Sequence, residues 1–145
     1  MDENQINDIE VHDFEIVIKK TLPREVLENV FVTALEGGSN YWYYLDRKTV
    51  KIIRSAVPAN EDACLSTAIL TAVLDHNIEI PVHDIENEDE ILGYISNKTI
   101  QDRIQELSSS ESSAWALNIE MDYGGDADSS DVVFQWIVMG EVVFG

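Results

Sequence analysis

The chain has 145 residues, the size of one domain, and its 28 acidic against nine basic side chains give a net charge of −19. Residues 75–145 hold sixteen of the acids and two of the bases, a field that repels nucleic acid and anionic membrane and suits basic proteins, cations or plain solubility. The single cysteine, Cys64, excludes an internal disulfide, and His12, His76 and His83 are too scattered for zinc spacing.

The first residues, Met1-Asp2-Glu3-Asn4-Gln5, are polar and acidic, unlike a signal peptide, and no run approaches the roughly eighteen apolar residues of a spanning helix. A soluble intracellular protein, with no membrane contact, is the expectation. Residues 1–8 read as a flexible N-terminus and 9–145 as one α+β domain, with helices packed on an antiparallel sheet.

From Ile9 to Lys20 the pattern alternates, with Phe14, Ile16 and Ile18 on one side, and predicts a half-buried first strand. Thr21-Leu22-Pro23 then opens a helix whose apolar face is Val26, Leu27, Val30, Phe31, Ala34 and Leu35, and Gly37-Gly38 ends it. Four consecutive aromatics follow: Tyr41, Trp42, Tyr43 and Tyr44. Alternate rings joining the core is the plain reading; a contact surface for a ligand or partner is the sharper one.

Arg47, Lys48, Lys51 and Arg54 alternate with Val50, Ile52 and Ile53 and predict a second strand or short extended element. This is the one basic patch beside the aromatics. A base stacked on Tyr or Trp, with phosphates held by these four cations, would be a minimal nucleotide site, although no glycine-rich phosphate loop accompanies it. Pairing of the cations with the acidic half competes with that reading.

Pro58 and Asn60-Glu61-Asp62 introduce a further helix with Leu65, Ala68, Ile69, Ala72 and Val73 on one face, and Cys64 reads as a small buried hydrophobe. Residues 78–86 and 91–95 form an antiparallel hairpin, with Pro81 assigning its strand to an edge. Asp84, Glu86, Glu88, Asp89 and Glu90 crowd its turn. They lack the glycine and closing glutamate of a calcium loop and read as a solvated charged turn. Asn97 caps a helix carrying Ile100, Ile104 and Leu107; the serine-rich run 108–113 breaks it before a segment of mixed pattern from Ala114 to Met121.

The last twenty residues, DADSSDVVFQWIVMGEVVFG, contain the longest apolar run and organise the rest. Composition alone allows a buried helix or a central strand, and the β-branched Val132, Val133, Ile137 and Val138 favour a strand. With Asp128 as cap, Asp131 favoured by the helix dipole and Gly140 as the left-handed stop, the run nevertheless predicts a helix over 129–139. Glu141 to Phe144 then turn back as a short strand. Gln135 is the polar exception, read as a core glutamine satisfied by backbone or, with less weight, a ligand contact.

Two stretches, EGGSNYW at 36–42 and the terminal twenty residues, resemble a family of small acidic proteins encoded by bacteriophages and prophages. That resemblance implies a phage setting, and with it the host cytoplasm as location, and carries over no catalytic residue or chemistry.

No neighbouring residues assemble a catalytic triad. Glu36, Asp126, Asp128, Asp131 and Glu141 would hold Mg²⁺ only if the glycine turn and the terminal helix met in space. The reading of the sequence is therefore a non-enzymatic phage protein, with no metal or cofactor, that antagonises a host defence system by binding. Its acidic surface, including Asp84, Glu86, Glu88, Asp89, Glu90, Asp126 and Asp128, would meet a basic host protein or defence complex as a nucleic-acid mimic without binding DNA itself. A protein that sequesters a nucleotide signal through residues 41–54 is the alternative, and an accessory or structural phage protein is another.

Overall fold

The architecture is built around the apolar run near the C-terminus, which folds as a helix over Ala127–Met139 in the computed structural model. Residues 12–57 and 64–145 are described; the stretch 1–8, the start of the expected first strand and the Pro58 to Asp62 helix entry lie outside them. Among the described residues the order is α1 (Arg24–Thr33), a π-type turn (Ala34–Gly38), β1 (Tyr43–Tyr44), α2 (Arg47–Ala56), α3 (Leu65–His76), β2 (Ile80–Asp84), β3 (Ile91–Ile95), α4 (Asn97–Ser108), α5 (Ala114–Met121) and α6 (Ala127–Met139). Among these residues six helices pack on a three-stranded antiparallel sheet of order β1-β2-β3, an α+β fold.

Helix α6 is the hub because it has no wet face through its middle: Val133, Phe134, Gln135, Ile137 and Val138 are all buried. It packs against α1, α4, α5, β3 and the π-type turn. Phe134 meets Phe31 of α1 edge-on and lies within aromatic contact of Trp42 and Tyr43, so one aromatic cluster joins three parts of the chain. On the other side Gly93 is required by close approach, since a Cβ there would stand 2.0 Å from the Val138 carbonyl oxygen.

The helix begins two residues earlier than its pattern suggests, and its cap is Asp126 rather than Asp128. The Asp126 carboxylate accepts from the Ser129 amide while the Ser129 hydroxyl accepts from the Asp126 amide, a reciprocal capping box. Asp131 consequently sits in the second turn, buried, and not at the dipole's end. Gly140 ends the helix at φ 77°, as expected.

Four further expectations are corrected. Residues 12–20 belong to no helix or strand among the described residues, and Phe14, Ile16, Val17 and Ile18 are 66–98% exposed. Alternation decides which side chains share a face; it cannot supply the neighbouring strand. Residues 47–56 form a helix, α2, because Asp46 accepts from the Thr49 amide at 2.6 Å and Val50, Ile53 and Val57 follow the helical spacing. Glu141 to Phe144 turn back without joining the sheet. Cys64 is exposed at the flank of α3.

The hairpin β2–β3 pairs as expected, with an irregularity between Val82 and His83. Its first strand is central rather than at an edge, yet β1 reaches only to His83, so Pro81 has one paired neighbour and its missing amide is tolerated. Ser96, not Asn97, caps α4 through a capping box with Thr99; the Asn97 amide instead donates to the Val73 carbonyl across to α3. The serine-rich run breaks the chain between α4 and α5, and the mixed pattern at 114–121 proves helical.

Candidate functional site

Three residues of the 36–42 stretch converge on one carboxylate of α6. Asp131 is 8% exposed, and its Oδ1 accepts from the Ser39 hydroxyl at 2.7 Å and the Trp42 indole N–H at 2.8 Å. Its Oδ2 accepts from the Tyr41 hydroxyl at 2.5 Å and from Gln135 Nε2 at 3.0 Å. Four donors on two oxygens leave little of the carboxylate for a metal or a substrate. Gln135, one helical turn on, also donates to the Phe144 carbonyl and accepts from the Val143 and Phe144 amides, each at 2.9 Å. It is the core glutamine satisfied by backbone, and it folds the C-terminal tail back so that Phe144 stacks on Trp42. A strand would need a sheet partner; here one side chain does the pairing.

A second buried carboxylate lies nearby. Glu120 on α5 accepts at Oε1 from the hydroxyls of Ser129 and Ser130, at 2.8 and 2.7 Å. Gly125 passes directly over it, a Cβ there falling 2.2 Å from the carboxylate. Gly38 likewise lets the π-type turn approach α6, with the Ala127 carbonyl 3.0 Å from where its Cβ would stand. The two resembling stretches thus form one packed unit, tied by Asp131. Neither Ser39 nor Glu120 stood out in the sequence, because each finds its partner in a different segment.

The other carboxylates lie outside this interior. Glu86, Glu88, Asp89 and Glu90 in the hairpin turn, and Asp122, Asp126 and Asp128 before and within the start of α6, are exposed; Asp84 is partly covered. Both groups border the aromatic stretch. The Ile85 amide donates to the Trp42 carbonyl at 3.0 Å and the Tyr44 hydroxyl to the Glu88 carbonyl at 2.9 Å, while Ala127 abuts Gly38. Gly38 and Trp42 are four residues apart, at most about 14 Å of chain. Half-exposed Tyr41 stands between them, its hydroxyl pushed up to about 12 by burial and by the adjacent Asp131, with a smaller contribution from Asp128.

The basic patch takes a different form from the expected one. On α2, Arg47, Lys48, Lys51 and Arg54 are all exposed. Arg47, Lys48 and Lys51 make no ion pair within 4 Å among the described residues, while Asp46 pairs instead with His83 at 3.2 Å. Of the aromatics, Trp42 is buried and Tyr43 is half-buried with its hydroxyl on the Leu35 carbonyl. Tyr44 stacks on His83. A cleft of about 340 Å³ is lined by Tyr43, Tyr44, Leu45, Val50, Glu36 and Ser66, among others, and by none of the four cations. The structure therefore puts Tyr43 and Tyr44 in one cleft but directs the basic side chains elsewhere.

Beside that cleft the Glu36 carboxylate accepts from the Ser66 hydroxyl at 3.1 Å and holds the Cys64 thiol above its ordinary range, chiefly by accepting its hydrogen bond. A thiol so held is a poorer nucleophile. Among the described residues no group of three or more His, Cys, Asp or Glu side chains is placed to hold a metal, so Glu36, Asp126, Asp128, Asp131 and Glu141 do not gather as one site. No helix there is long and apolar enough to cross a membrane.

Comparison of the chain with known protein families, with characterised proteins and with solved structures finds no match.

Proposed function

We propose that this chain is a non-enzymatic, phage-encoded binding protein that antagonises a host defence system by offering its carboxylates to a basic partner. The observation that carries the reading is the division of labour among its acids. Asp131 and Glu120 are consumed by internal donors, whereas the hairpin-turn carboxylates and those of residues 122–128 face solvent on either side of one aromatic stretch. The two basic residues of the second half, Lys98 and Arg103, are occupied by Asp102 and Glu106 on their own helix. They neutralise none of that surface.

Carboxylates spaced along a surface, with a tyrosine among them, suit the basic groove of a protein that binds nucleic acid, and long-range attraction would speed the encounter. The setting in phage rests on the resemblance described above. A small-ligand sequestering role is the second reading, favoured by the cleft at Tyr43 and Tyr44; with Glu36 in its wall it suits a neutral or cationic ligand better than a nucleotide.

The test is affinity capture from host extract with wild-type protein and with a variant neutralised at Glu86→Gln, Glu88→Gln, Asp89→Asn and Asp128→Asn. The expected result is a nucleic-acid-binding host protein released by rising salt, displaced by duplex DNA and lost in the variant. Equal capture by both proteins, or retention indifferent to salt, would reject the reading.

A further inference from the structure

We propose that the segment 12–20, which belongs to no helix or strand of its own chain, adds as an antiparallel strand to the open edge of β3 in a second copy of this chain, forming a reciprocal dimer. The segment has the period of a strand and none of a strand's partners: Phe14, Ile16 and Ile18 alternate along it, and they and Val17 are 66–98% exposed. Isolated apolar side chains at a surface are ordinary, but four within five residues are a patch. Residues 16–22 border a groove of about 1030 Å³ together with Leu27, Ile100, Ile104 and Met121, yet Ile16 and Ile18 remain 76% and 66% exposed there.

The receptor is the other half of the argument. β3 is the last strand of its sheet, with no strand beyond it among the described residues, and Ile91 and Tyr94 are 45% and 41% exposed. Its short length is one way in which edges are kept from indiscriminate pairing, and it matches the five residues 14–18. The Tyr94 carbonyl already accepts from the Thr99 hydroxyl at 3.1 Å, and keeps a second lone pair for a partner.

Charge selects the orientation. Antiparallel pairing with Ile16 opposite Tyr94 and Ile18 opposite Leu92 carries Lys19 and Lys20 alongside Glu88, Asp89 and Glu90 of the hairpin turn, and takes Asp13 and Glu15 away from it. Parallel pairing would set Asp13 and Glu15 against that turn. In this arrangement the main chain gives affinity and alternate side chains give register, the general mode of strand addition.

The experiment is light-scattering mass across a concentration series of the full chain, followed by two sets of variants. The wild type is expected to approach twice 16.4 kDa as concentration rises. Ile16→Pro, which removes an amide from an exposed position, should weaken the dimer by roughly tenfold or more while leaving the circular dichroism of the folded helices unchanged. Reversal at Lys19→Glu with Lys20→Glu, or at Glu88→Lys with Asp89→Lys, should weaken it several-fold, and the two reversals combined should restore it. A monomer at every concentration overturns the proposal. So does a dimer indifferent to Ile16→Pro, or one in which combining the reversals gives no rescue.

Discussion

Asp131 and Asp128 stand one turn apart on the same helix and live in opposite environments. The first is wrapped by Ser39, Tyr41, Trp42 and Gln135; the second faces water beside Tyr41. An acid in the interior is tolerable only when its lone pairs are filled, and once filled it ties together the segments that supply the donors. An acid at the surface costs little and remains open to a partner. The same contrast separates Glu120 from the turn at 84–90: the interior acids are tied into the fold by their donors, and under the proposed reading it is the exposed ones that would meet a partner.

The sharpest way to break that contrast is Asp131→Ala. It leaves the Trp42 indole, the Ser39 hydroxyl and the Gln135 amide with a lost acceptor in the interior, and should cost about 3–5 kcal/mol in chemical denaturation. A loss below about 1 kcal/mol would show that the network is dispensable. Gln135→Leu, which strips the acceptor from the Val143 and Phe144 amides, should cost about 1–3 kcal/mol and release the tail, seen as faster amide exchange at 142–145. Tyr41→Phe removes one of Asp131's four donors and should cost about 1 kcal/mol.

Titration sharpens the comparison further. The hydroxyls of Tyr41 and Tyr43 are both raised to about 12, by burial first and, for Tyr41, by Asp131 as well. Because the folded state holds their protons more tightly, their contribution to stability is complete below pH 10 and is lost as pH climbs toward 12. Ultraviolet difference spectra of Tyr41→Phe should lose one of these late transitions. On the acid side, the Ser129 amide lowers the Asp126 carboxyl and the Thr49 amide lowers that of Asp46. Their stabilisation is present above the ordinary carboxyl range, near 3.8, and disappears as pH falls through the depressed values. Acid unfolding of Asp126→Ala should therefore show a shallower pH dependence there. The smallest effect belongs to the outer acids: neutralising Glu86, Glu88, Asp89 and Asp128 should move stability by no more than about 0.5 kcal/mol.

The burial of the hub was legible in its apolar run, and the aspartate-rich entry with Gly140 at its end tipped the choice to a helix over the strand that its β-branched residues also allow, though the cap proved to be Asp126. So was the hairpin. What the pattern could not yield was anything decided by a distant partner. Val50 and Ile52 alternate and Val50 and Ile53 are also helically spaced, so only the Asp46 cap separates strand from helix in α2. Residues 12–20 show strand period with no strand to meet. Gln135 could be read as backbone-satisfied from its setting alone, but the other three donors to Asp131 come from about ninety residues upstream, and Ser39 carries no local sign of that role.

The central claim is that the outer carboxylates recognise while the inner ones hold. Its most direct test is the affinity of the host protein captured by wild type, measured by calorimetry against two proteins: the fourfold outer neutralisation and Tyr41→Phe. The account predicts that neutralisation abolishes binding with an unchanged melting temperature, whereas Tyr41→Phe lowers the melting temperature and leaves most of the affinity. Full affinity in the neutralised protein would contradict it.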